Sequence, residues 1–147
     1  MSISKHYLLE QIKRSTAIDM DEMKLFEMEN DNWWIWHNRG HFKVLRYIKK
    51  FIEENQYDKK MLLKELKKFK RESKLITNRL DKKYNDFQHG EAMSVRDEIR
   101  YSYYDGIDCE CCSLREMIMG KKYYDKNSYI PFDWSGWLDN GKEVKNK

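Results

Sequence analysis

Apolar side chains recur every three or four residues along most of this chain, the spacing of helices with one buried face. The longest such run is Asp58 to Phe87, DKKMLLKELKKFKRESKLITNRLDKKYNDF, which contains neither Gly nor Pro. Leu62, Leu66, Phe69, Ile76, Leu80 and Phe87 form its stripe, and Leu63, Leu75 and Tyr84 widen it. At 1.5 Å per residue such a helix would be roughly 45 Å long. A second stripe, Phe42, Leu45, Ile48, Phe51 and Ile52, carries Lys43, Arg46, Lys49 and Lys50 on its other side. Asn55, Gln56 and Tyr57 turn the chain between the two. The pattern therefore predicts an antiparallel helical hairpin, Phe42–Asn55 against Asp58–Phe87, as the centre of an all-α or mainly α fold.

Shorter segments surround it. Ser4 is a cap for a first helix through Leu8, Leu9 and Ile12, and Asp19 a cap for a second with Met20, Met23, Leu25, Phe26 and Met28; the two could be one bent helix. After the turn-like Asn30–Asn32, the run Trp33, Trp34, Ile35, Trp36 reads equally as a short buried strand or as the first turn of a buried helix. His89 and Gly90 close the long helix, and Ser94 opens another that stops at Asp105-Gly106. The cysteines then fall in a loop, and Ser113 to Glu116 opens a short helix closed by Gly120. From Lys121 the chain reads as an irregular arm rich in Tyr and Trp, with a frayed end over 141–147. At 147 residues, 1–147 fits one domain.

Composition adds three constraints. Hydrophobic residues make up 40% and aromatic ones 14%, so rings must carry much of a modest core. No run approaches the ~18 apolar residues of a membrane span, and no signal peptide opens the chain, so a soluble cytoplasmic protein is expected. The net charge is +4, but Asp58 to Lys83 holds eleven basic and four acidic residues, leaving the remainder at −3. A basic rod lies on a slightly acidic body.

Two places could carry chemistry. His37 and His41, four apart, share a helical face, and Cys109 and Cys112 have the two-residue gap of a zinc knuckle. Together they could form a tetrahedral site, with Cys111 or His89 as alternates for one ligand. Four protein ligands leave no position for water, so the zinc would be structural. The competing reading is three partly buried thiols and two unrelated imidazoles. The second place is the basic rod, where Lys64, Lys67, Lys68, Lys70, Arg71 and Lys74 are the candidate partner-binding residues. No helix-turn-helix or RNA-binding motif accompanies them. Nucleophile-elbow, P-loop and Rossmann patterns are absent, which argues against an enzyme. Asp105, Asp108 and Glu110, with His89, leave a metal-dependent nuclease as a weak third reading.

Small size, abundance of Lys, Asn, Tyr and Trp, a single Pro and no catalytic signature resemble, in composition alone, small phage-encoded inhibitors of host defence of the anti-CRISPR type. The resemblance implies a stoichiometric binder of a host nucleoprotein effector, such as a Cas9-type nuclease, acting in the host cytoplasm. The alternative is a zinc-containing regulatory protein that binds nucleic acid.

Overall fold

The computed structural model describes residues 4–84 and 93–120. The expectations for His89, for the Gly90 helix stop, for the aromatic arm and for the frayed end lie outside the described residues. Within them the fold is all-α: α1 Lys5–Met28, α2 Asn32–Glu54, α3 Lys59–Lys83 and α4 Val95–Met119.

Local chemistry sets the ends. Ser4 Oγ accepts from the Tyr7 amide at 3.1 Å and starts α1. Asn30 takes the left-handed conformation, φ 55°, that ends it. The Asn30 amide then bonds the Glu27 carbonyl and the Asp31 amide the Phe26 carbonyl, so the last carbonyls of α1 are satisfied. Asp31 immediately caps α2 by accepting from the Trp34 amide at 3.2 Å. Asp58 accepts from the Lys60 and Met61 amides to start α3, and Ser94 accepts from the Asp97 amide to start α4. Gly120, at φ 99°, ends α4.

Four expectations are corrected. Asp19 caps nothing; α1 runs through it, and the Thr16 hydroxyl is satisfied by the Ile12 carbonyl 2.8 Å away in the preceding turn. Of the two readings left open for Trp33 to Trp36, the helical one holds: they form the first turn of α2, and no strand occurs among the described residues. Asp105-Gly106 does not stop a helix, Ser113 does not start one, and the cysteines are not in a loop: all lie inside the 25-residue α4. The additional short helices are therefore one long helix. Glycine weakens a helix by roughly 1 kcal/mol, a cost that tertiary packing offsets here.

The packing also shifts the centre of the molecule. Helix α4 lies along both α2 and α3, whereas α2 meets α3 mainly where Tyr47, Glu65 and Phe69 come together near their turn. α1 lies against α2. One core joins Leu8 and Ile12, Val44 to Ile52, Leu62 and Leu66, and Ile107 to Ile118. Each fully buried aliphatic side chain contributes roughly 1.5–3 kcal/mol.

Candidate metal centre

The centre is built where α2 and α4 cross. A Cβ on Gly40 would collide with the Tyr103 carbonyl oxygen, and one on Gly106 with the His37 carbonyl oxygen. Only two glycines facing each other's backbone let the helices come this close. His37 and His41 stand on either side of Gly40, and Asp105, Cys109 and Glu110 follow one turn of α4 around Gly106, so the crossing gathers all five. α1 adds Asp19, held in place because the buried Asn38 amide donates to the Asp19 backbone carbonyl at 3.3 Å.

Six side chains form two adjoining groups that could hold a metal ion. The inner group is Asp19, His41 and Glu110. His41 Nδ1 stands 3.4 Å from Asp19 Oδ2 and 3.8 Å from Glu110 Oε1. Asp19 and Glu110 are each 8% exposed. Asp19 Oδ2 and both ring nitrogens of His41 are buried with no aligned hydrogen bond. An unsatisfied buried polar atom costs about 1–3 kcal/mol, so three in one place call for a partner. Donors bonded to one tetrahedral ion at about 2.0–2.1 Å stand roughly 3.4 Å apart, close to the spacing found. Burial pushes the Glu110 carboxyl up to about 7, with Asp19 adding to the rise and His41 opposing it. Burial opposes protonation of His41, but Asp19, Glu110 and Glu22 outweigh it and hold its pKa above the ordinary value.

The outer group is His37, Asp105 and Cys109, and it is already paired. His37 Nε2 is 3.1 Å from Asp105 Oδ2, and Cys109 Sγ donates to the same oxygen at 3.9 Å. His37 Nδ1 remains buried and unpartnered, and the His37 ring lies edge-on to His41 at 4.8 Å between centroids. Trp34 packs edge-on against His37 from the solvent side. Desolvation of the sulfur, then the charges of Asp105 and Asp108, push the Cys109 thiol up to about 12. Without a metal it is a thiol, not a thiolate.

The sequence-predicted ligands are thus divided. His37 and Cys109 come together with Asp105, and His41 sits beside them with Asp19 and Glu110. Cys112 lies on another side of α4, where Lys70 Nζ donates to its sulfur at 2.9 Å. Cys111 is a core residue at 1% exposure, its thiol pushed up to about 12 chiefly by burial. Asp105 and Glu110 stood out in the sequence only as part of an acidic loop. Asp19 carried no ligand signal, because nothing local tells a buried helical Asp from a cap.

The basic helix is also redistributed. Lys68 pairs with Glu65 at 3.1 Å, and Lys70 and Lys74 both pair with Asp108, at 3.1 and 3.4 Å. Lys64 and Lys67 line a groove between α3 and α4 with Lys60 and Arg115, which sequence reasoning missed; Arg71 is exposed. Trp33 packs on Tyr101, and Trp36 on Tyr103 with Arg39 stacked 4.3 Å above its ring, while Trp34 is 44% exposed. No helix among the described residues is long and apolar enough to cross a membrane. Comparison with protein-family models, characterised proteins and solved structures returns no match.

Proposed function

We propose that this protein is a metal-braced helical binding protein that acts by occupying a partner's surface and not by turnover. The observation that carries the reading is the inner group: two buried carboxylates and an imidazole spaced as donors to one ion, with Asp19 Oδ2 and both His41 nitrogens lacking an aligned hydrogen bond. Mixed nitrogen and oxygen donors suit a divalent transition metal, and zinc fits this set. The ion would tie α1, through Asp19, to α2 and α4. Its carboxylates are nine-tenths buried, which favours a brace over a site that admits substrate. The partner in this reading is a host nucleoprotein effector of the kind the composition resembles, met by the basic side of α3.

Protein purified without added metal should carry about one equivalent of zinc per chain. His41→Ala and Glu110→Gln should each empty the site, whereas Cys112→Ser should keep it full. Metal below about a tenth of an equivalent in the unaltered protein would overturn the metal reading. In a Cas9-type cleavage assay, inhibition should saturate near one equivalent of protein, and inhibition at strongly substoichiometric levels would mean turnover instead.

A further inference from the structure

The groove between α3 and α4 gathers cations. It encloses about 420 Å³ over the core residue Leu66 and is lined by Lys60, Lys64, Lys67 and Lys70 of α3 and Arg115 of α4, with no acidic side chain among the described residues; Lys70 also pairs with Asp108 at its edge. Elsewhere on α3 three cations are neutralised within the chain, Lys68 by Glu65, Lys74 by Asp108 and Lys83 by Asp97, while Lys59, Arg71, Arg79 and Lys82 are exposed outside the groove. Lys60, Lys64 and Lys67 are exposed and form no ion pair among the described residues. They stand four and three residues apart on one helical face, where like charges destabilise the free helix. Three exposed lysines gathered along one groove, with no carboxylate paired to them among the described residues, present an anion site.

We infer that this groove binds the phosphodiester backbone of a nucleic-acid duplex. From Lys60 to Lys70 it runs roughly 15 Å along α3, the length of about four phosphates of one strand at 3.4 Å rise. No aromatic ring lines it among the described residues, so it lacks there the base-stacking platform that single strands use. Lysines on flexible stems are point charges that bind phosphate, and the Arg115 guanidinium beside them fits phosphate bidentately. This partner chemistry rests on the reading that the chain acts by binding, and it is independent of the metal.

The test measures binding of short RNA and DNA duplexes of equal sequence by the full, metal-replete chain across a salt series. The variant Lys60→Glu, Lys64→Glu, Lys67→Glu is compared with Lys13→Glu, Lys24→Glu, Lys43→Glu, which makes the same charge change on α1 and α2. The groove variant should bind at least tenfold more weakly, and its salt slope should fall by about three, one per lost phosphate contact. The control variant should retain most of the affinity. Equal loss in both variants would reduce the effect to net charge and overturn the inference, as would no binding at low salt. Displacement by polyglutamate at the same charge concentration as a competing duplex would assign the groove to an acidic protein instead. Metal content and melting temperature are read on the same samples. A groove variant with full metal and unbound duplex supports the site, whereas a metal-free protein that still binds duplex through these lysines defeats only the metal reading.

Discussion

Gly40 and Gly106 are the two residues on which the centre depends. Each places its missing side chain against the opposite helix's backbone, which cannot yield as a flexible side chain would. Gly40→Ala or Gly106→Ala should therefore force α2 and α4 apart and destabilise the protein by on the order of 3 kcal/mol, although alanine is the better helix former. Thermal unfolding checks this, and the same variants should lose metal because Glu110 recedes from His41. Asp97 makes a separate prediction. Its carboxylate accepts from Lys83 at 2.7 Å and from the Tyr84 hydroxyl at 2.6 Å, and its backbone amide is held by Ser94. Lys83 first, then Tyr84, hold its pKa below the ordinary carboxylate value. A lowered folded-state pKa means a contribution present above the ordinary value and lost as the pH falls through the lowered one. Melting temperature followed below about pH 4 should thus fall more steeply for the unaltered chain than for Asp97→Asn. Identical acid limbs would remove Asp97 from the account.

At the scale of the element, α3 shows how a correct period can still misassign a face. Leu62, Leu66 and Leu80 are buried as the stripe predicts, but Ser73 and Thr77 are buried too, while Leu75 is 52% exposed and Ile76 only half-buried. At about 100° per residue Ser73 and Thr77 fall on the same face as Leu62, Leu66 and Leu80, and Leu75 on the opposite one, so small hydroxyl residues share the buried face. The Ser73 hydroxyl is satisfied by the Phe69 carbonyl at 2.8 Å. Leu66→Asp should then bury a charge without a partner and cost about 3–5 kcal/mol, and Leu75→Asp should stay within about 0.5 kcal/mol. Denaturant unfolding of the pair separates the two. Helix α4 erred in the other direction. It packs against two helices at once, so its buried positions Ser102, Gly106, Glu110 and Cys111 do not make one apolar stripe, and its glycine looked like a stop.

At the scale of the molecule, α1 packs mainly on α2, and the inner group adds a polar link to α4 beside the core that Leu8 and Ile12 share with it. Chelation should lower the melting temperature and speed amide exchange first around Asp19 in α1, leaving the α3–α4 pairing protected. Uniform loss of protection would mean that the metal supports the whole fold and not this link. How much of this was legible follows from the range of the forces involved. The sequence alone determined the all-α class, the caps Ser4 and Ser94, the stop at Gly120, and the α3 helix from its start at Asp58 through Lys83, because each rests on side chains within a few residues along the chain. It also marked His37 and His41 as neighbours, since helical pitch alone puts them on one face. Only the tertiary structure decided that Asp19 and Glu110 meet His41, that Cys112 turns to Lys70, and that Lys60, Lys64 and Lys67 have no counter-charge among the described residues. Those outcomes depend on which helix faces cross and how closely. That distance is set by two glycines sixty-six positions apart, one on each helix, and neither reports locally on the other.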